Sequence, residues 1–353
     1  MPAPGRGACG VVVAHTDWSV PAVRWGLQTR AGRRREIVGR WGITLPLTGV
    51  PVLDHRDLVA ELADLGYTDV WSAETAGTDA FTPLALAAQW SDRLRLGTAI
   101  APVYTRGPAT LAMTAATLAE VSGGRFVLGI GSSSPAIVQR WNGVEFAEPF
   151  KRTRDTLRFL KSALAGEKVT EQYETFAVRG FRLERAPGQR VPIMLAALRP
   201  TMLRLAGREA DGAITNWLGA ADVVKVRAEL GQGELAARIF VCPTEDAAAA
   251  RALGRMLIST YLTVPAYAAF HDWLGRGEAL RPMHEAWNSG DRRGASALVP
   301  DEVVDDLVVH GSVEQCRARV AEYAANGVDT PVIAVLPTGA DQLDLVRALA
   351  PGA

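Results

Sequence analysis

Cysteine is scarce in this chain: Cys9, Cys242 and Cys316 are far apart and odd in number. No two have metal-ligand or redox spacing, so a disulfide framework and a thiolate metal site are excluded and the thiols read as reduced, structural residues. Histidine is also sparse. Five are scattered without an HExxH pattern, so no metal centre is expected. Net charge is lacking: Lys plus Arg and Asp plus Glu both number 38, leaving no single-sign field to hold nucleic acid or a membrane surface. Long apolar runs are missing too. The stretch 8–14 is too short to span a bilayer, has no cleavage region behind it, and Arg33-Arg34-Arg35 leads into Glu36 rather than an apolar run. The absence of a secretion signal and of a spanning segment points to a cytoplasmic protein.

What is present suits one large core. The chain has 353 residues, 48% hydrophobic and 22% charged, a length that single α/β barrels commonly reach. Residues 1–39 are rich in Gly, Pro and Arg and show no clean period; they read as a loosely ordered extension before a single domain, 40–353. From Trp41 onward strands and helices alternate. Strands are expected at 42–47, 69–72, 94–101, 125–131, 191–197, 213–217, 239–243 and 330–336. Helices are expected after Asp54 as a cap, over 81–91, and over 108–122 with Pro108 at its start. Glycine stops recur where helices return to strands, at Gly66, Gly123-Gly124, Gly212 and Gly327. Eight such repeats predict a closed (β/α)₈ TIM barrel. Two insertions break the rhythm: a hairpin over 168–185, after the fourth strand, and a mostly helical excursion over 246–310, after the seventh. The aromatic residues of that excursion, among them Tyr261, Tyr267, Phe270 and Trp273, read as core or dimer packing.

Barrel chemistry lies just past the C-terminal strand ends, which directs attention to Leu45 to Thr48, Glu74-Thr75, Ala99 to Ala101, Gly131 to Ser134, Ala197 to Thr201 and Asn216-Trp217. The turn Gly129-Ile130-Gly131-Ser132-Ser133-Ser134 is no dinucleotide fingerprint, because Ser134 stands where the third glycine belongs and Pro135 follows. It reads either as an anion receiver for a phosphate or carboxylate tail, or as a plain tight turn. Ala197-Leu198-Arg199-Pro200-Thr201 opens a helix whose free N–H groups, with Arg199 and Thr201, offer a second anion site; an ordinary cap with a solvated arginine is the alternative. Glu74 is a carboxylate at a strand end with Asp79 five residues on, either a site acid or a salt-bridged structural one.

Taken in order, Val70-Trp71-Ser72-Ala73-Glu74-Thr75 with Asp79 to Pro83, Arg95 to Ile100, Ser122 to Gly131, Arg140-Trp141-Asn142-Gly143, Ala196 to Pro200, and Leu205-Ala206-Gly207 through Gly212 resemble the bacterial luciferase-like monooxygenase superfamily, in its coenzyme F420 branch. The resemblance spans roughly 41–340. It implies an oxidoreductase that uses deazaflavin coenzyme F420, with flavin mononucleotide (FMN) as the alternative cofactor and a non-catalytic barrel as a third reading. It implies a non-proline cis peptide at Ala99-Ile100 pressing the coenzyme ring, and phosphate contacts at Gly131-Ser132-Ser133 and Ala197 to Thr201. The cofactor-binding set is then Leu45, Thr98, Ala99, Ile100, Gly131, Ser132, Ser133, Ala197, Leu198, Arg199 and Thr201, and Asp79, Trp141, Asn216 and Trp217 line the substrate pocket. Glu74 and Thr75 are the candidate catalytic residues. Relatives acting on sugar phosphates or secondary alcohols often carry histidine where Thr75 stands, which disfavours those substrates and leaves Glu74 as the proton-handling candidate. A homodimer is also implied.

Overall fold

The computed structural model describes residues 24–28 and 34–351. Much of the extension expected at 1–39 lies outside the described residues; within it, Arg24–Gln28 pairs antiparallel with Arg34–Val38. The eight expected strands are present: β1 (Gly42–Thr44), β2 (Asp69–Ser72), β3 (Arg95–Thr98), β4 (Phe126–Gly131), β5 (Ile193–Ala196), β6 (Gly212–Asn216), β7 (Glu234–Pro243) and β8 (Thr330–Val335). Each pairs in parallel with the next, and β8 pairs with β1, so the sheet closes.

Four local readings differ. The third apolar run is split, because Ala99-Ile100 is cis and Ala101–Pro102 resumes pairing on β4 as a separate short strand. β7 begins at Glu234 rather than Ile239; Glu234 and Arg238 interrupt the apolar signal yet lie in the ladder. Asp54 sits inside a 3₁₀ turn, Val52–His55, without capping the helix that follows, Arg56–Glu61. Gly66, Gly123, Gly124 and Gly327 have the expected left-handed backbone, but Gly212 does not. It is glycine for space: a Cβ there would lie 2.1 Å from the Glu234 carbonyl oxygen.

The hairpin before β5 is present, Val169–Gln172 against Ala177–Phe181. After β7 come the helices Ala247–Tyr261, Pro265–Leu274, Gly277–Asn288, Arg292–Ala297 and Asp301–Leu307. Strand Val308–Gly311 then returns to pair with the upper half of β7.

Side chains inside the barrel form layers. At the base, Arg95 pairs with Asp69 and places two N–H donors on Glu234, at 2.8 and 2.5 Å; Glu234 also accepts from Thr330 at 2.6 Å. Above it, Trp71, Val127, Met194, Ile214, Ala236 and Val332 cluster, one from each of six strands. Trp71 takes the room left by two glycines: a Cβ on Gly97 would lie 2.4 Å from the indole, and one on Gly42 3.2 Å from it. Charge satisfied across strands and one large ring seal the lower barrel. The floor of the site is solid.

Candidate active site

The next inward positions are small. Following strand parity upward from the Trp71 layer gives Thr44, Ala73, Ala99, Gly131, Ala196 and Ala334. Barrel layers are ordinarily filled by bulky branched residues. Here small residues take their place, Ala73, Ala99, Ala196 and Asn216 keep partial exposure at the C-terminal mouth, and the Thr44 hydroxyl is buried without a hydrogen-bond partner. On the far wall the pattern changes, with Asn216, Arg238 and Phe240 facing inward.

One rim is shaped by an exchange of side chain for backbone. Thr98 is fully buried; its hydroxyl accepts from the Gly129 N–H and donates to the Gly129 carbonyl oxygen, both at 2.8 Å. That hydroxyl supplies the bonds β3 would otherwise give β4. Gly129 must lack a side chain, because a Cβ would lie 1.8 Å from the Thr98 carbonyl oxygen. The chain then turns through the cis Ala99-Ile100 bond, whose two side chains pack on the Trp71 layer as part of the mouth floor. Gly131 is tight for the same reason: its Cβ would come 2.7 Å from Ala196 and 3.2 Å from Ile100. Thr98 is therefore a strand clamp. Its one O–H is spent on Gly129 and the side chain is fully buried, so the hydroxyl does not face the mouth as a cofactor contact would.

Glu74 lies two residues past β2 and is not free. Arg106 donates to it through Nε at 3.1 and 3.0 Å and through a terminal nitrogen at 2.6 Å, and the Ala80 N–H donates at 3.1 Å. Arg106 in turn lies over the Phe81 ring at 4.7 Å. Nothing near Arg106 in the sequence marks it as a partner for an acid thirty-two positions away; only tertiary structure reveals it. Asp79 accepts from the N–H groups of Phe81 and Thr82 at 2.8 and 3.0 Å. Partial burial opposes ionisation, but the Thr82 and Phe81 bonds and the Arg106 charge hold its carboxyl below the ordinary range. Asp79 thus seats the helix Thr82–Trp90 rather than lining a pocket.

The two anion-site candidates follow adjacent strands, since β4 and β5 are paired. Ser133 has a left-handed backbone, φ +61°, which turns the chain immediately after Gly131-Ser132. Beyond β5, Ala197 donates to the Ile214 carbonyl at 2.9 Å and Leu198 packs against the core. Arg199 and Thr201 are exposed at the start of the ten-residue helix Pro200–Glu209, which has no side-chain cap. Leu45 is buried behind β1 and donates its N–H to the Trp71 carbonyl at 2.8 Å, so it supports the mouth from below.

With this geometry in place, comparison with known proteins is decisive for the family. The model for luciferase-like monooxygenase matches residues 41–330. The chain belongs to the luciferase-like monooxygenase family. It is 29% identical to a Mycobacterium tuberculosis protein that bears the name coenzyme F420-dependent oxidoreductase, over 84% of this chain and 93% of that one. It is 27% identical to 5,10-methylenetetrahydromethanopterin reductase of Methanolobus tindarius, over 84% and 94%. The fold is also that of the coenzyme F420 dependent tetrahydromethanopterin reductase from Methanopyrus kandleri, with TM-score 0.72, 21% identity and coverage of 88% and 97%.

In this luciferase-like barrel several expected pocket residues lie elsewhere. Trp217 is buried, stacked on Phe240 at 4.0 Å and against Tyr261 at 5.3 Å, so it belongs to the core beneath the helical excursion. Its strand-end position suggested otherwise, but φ +53° turns its ring away from the mouth surface into that core. Trp141 is 60% exposed at the end of the helical turn Ala136–Trp141. Thr75 is exposed, with no described partner. Asn216 does face the mouth, and its side-chain oxygen accepts from the Tyr267 hydroxyl at 2.9 Å. That bond draws one excursion aromatic out of pure packing and into the site wall, a role missed because apolar spacing records burial and not hydroxyl direction. Among the described residues, no group of three or more His, Cys, Asp or Glu could hold a metal ion, and no helix is long and apolar enough to cross a membrane.

Proposed function

We propose that this chain is an oxidoreductase that uses coenzyme F420 to exchange a hydride with a small organic substrate at the mouth of its barrel. The observation that carries the reading is the run of small inward residues, Ala73, Ala99, Gly131, Ala196 and Ala334, above the Trp71 layer. A planar ring would rest against these small residues, and Gly131 lets Ala196 and Ile100 close in beside it, since a Cβ there would lie 2.7 Å from Ala196. The mycobacterial relative, whose name carries the coenzyme, supports the choice.

When bound, the coenzyme supplies the hydride-carrying carbon. The chain's own part is binding, orientation and water exclusion. Ala99-Ile100 would back the ring, the Gly131-Ser132-Ser133 turn would offer N–H and hydroxyl donors to the phosphate, and Arg199 with the open helix start at Pro200-Thr201 would add a cation and further donors. Glu74, held by Arg106 and the Ala80 N–H, would fix the loop that walls the mouth after β2. A homodimeric, cytoplasmic enzyme completes the reading.

Titrating the purified chain with coenzyme F420 and separately with FMN, followed by coenzyme fluorescence or absorbance, tests it. Saturable micromolar binding of F420 with none of FMN is expected. Preferential FMN binding would overturn the assignment.

A further inference from the structure

We propose that Arg238, with Asn216 beside it, forms the subsite that takes a carboxylate of the organic substrate. The proposal rests on the mouth being the reaction site. Arg238 and Asn216 are direct partners in the β6–β7 ladder, so their side chains leave the sheet at the same height on the same face. That face is the interior. Ala236, two residues below Arg238, belongs to the Trp71 layer, while Leu235, Ala237, Ile239 and Val241 pack outward.

Arg238 sits inside the barrel without the ion pair that several other arginines have; Arg125 and Arg152 are also part-buried without one, but they donate to backbone carbonyls. Arg95, Arg106, Arg251 and Arg276 each meet a carboxylate. Arg238 meets none among the described residues; its guanidinium has the Tyr261 hydroxyl as a hydrogen-bond partner, the Tyr267 hydroxyl nearby and the Phe240 ring 4.8 Å from the guanidinium carbon. Its Nε is sealed from solvent without a hydrogen-bond acceptor. A sheltered cation with an unused donor is costly to fold unless a ligand completes it. Asn216 reinforces the pattern. Its oxygen is committed to Tyr267, which leaves the amide N–H groups facing the site. Guanidinium and amide together present donors only, in a fork that suits a carboxylate. Phe240, which lies under the guanidinium, makes the adjoining wall apolar.

Position separates this subsite from the coenzyme's own anions. In the closed order of eight strands, β7 lies opposite β3, which leads into the cis bond, and the candidate phosphate turns follow β4 and β5. The substrate is therefore an organic carboxylate whose charge is held across the mouth from the ring.

The test uses benzoate and its neutral counterpart benzamide as probes, titrated by calorimetry or NMR into the chain without coenzyme and again with coenzyme F420 present. Benzoate should bind the wild type roughly tenfold to a hundredfold more tightly than benzamide. Arg238→Met should abolish that difference and Arg238→Lys should retain part of it, with coenzyme affinity unchanged in both. Equal binding of the two probes to the wild type overturns the proposal, and that comparison depends on no variant folding. So does a preference for benzoate that survives in Arg238→Met. A loss of F420 affinity in Arg238→Met without a benzoate effect also overturns it, by giving Arg238 to the coenzyme tail. Failure of F420 to bind the wild type would sink the oxidoreductase reading, while the benzoate comparison still judges Arg238.

Discussion

Replacing Thr98 by Val keeps the branched shape of the side chain and deletes one oxygen. In the barrel that oxygen serves both the N–H and the carbonyl of Gly129, each at 2.8 Å, at a site closed to water. The variant leaves two buried backbone groups without partners at about 1–3 kcal/mol each, so a loss of roughly 2–5 kcal/mol is expected, with almost no cavity contribution. For a domain of this size that corresponds to a fall in melting temperature of roughly 3–8 °C. Thr98→Ser restores the hydroxyl and should recover most of the loss, giving up about 1 kcal/mol for one buried methyl group. The assay is thermal and urea unfolding of the three proteins side by side, together with coenzyme titration. Affinity of folded Thr98→Val for the coenzyme should stay within about twofold of wild type, because the hydroxyl points into the β3–β4 seam. A variant as stable as wild type that has lost coenzyme binding would refute the clamp and return Thr98 to the binding site.

Two further outcomes follow from the charged groups. Burial works against ionisation of Glu234, but the Arg95 donors and charge, with Thr330, pull its carboxyl down to about 2. Its folded value thus lies below the unfolded one, so it contributes stability above the ordinary carboxylate range that disappears as pH falls through about 2, up to about 3 kcal/mol in all. Glu234→Gln should therefore be less stable at pH 7 and show a flatter stability profile between pH 4.5 and 2; an unchanged acid profile would remove Glu234 from the account. Glu74→Gln weakens the hold on Arg106 and should lower stability by about 1–3 kcal/mol, and turnover by a factor that does not vary with pH. Loss of one limb of the pH–rate profile would instead make Glu74 the proton-transfer group.

What the sequence determined by itself was order. Strand and helix periods, glycine stops and two irregular stretches place eight βα units, a hairpin and a helical excursion, because each depends on residues near one another in the chain. It also pointed to Ala99-Ile100, Gly131 and Asn216, which stand at strand ends where a barrel puts its mouth. Tertiary structure decided which side chains at those ends are free. Arg95 reaches Glu234 139 positions away, Arg106 claims Glu74 across 32, and Thr98 is consumed by Gly129 across 31, pairings with no local signature. Arg238 was hidden for a related reason. A charge inside a strand breaks the apolar run that marks the strand, and only closure of the sheet reveals that it faces inward, beside Asn216 and without an acid. Local physics writes the elements; long-range pairing of charge and hydrogen bonds decides which residues remain to do chemistry.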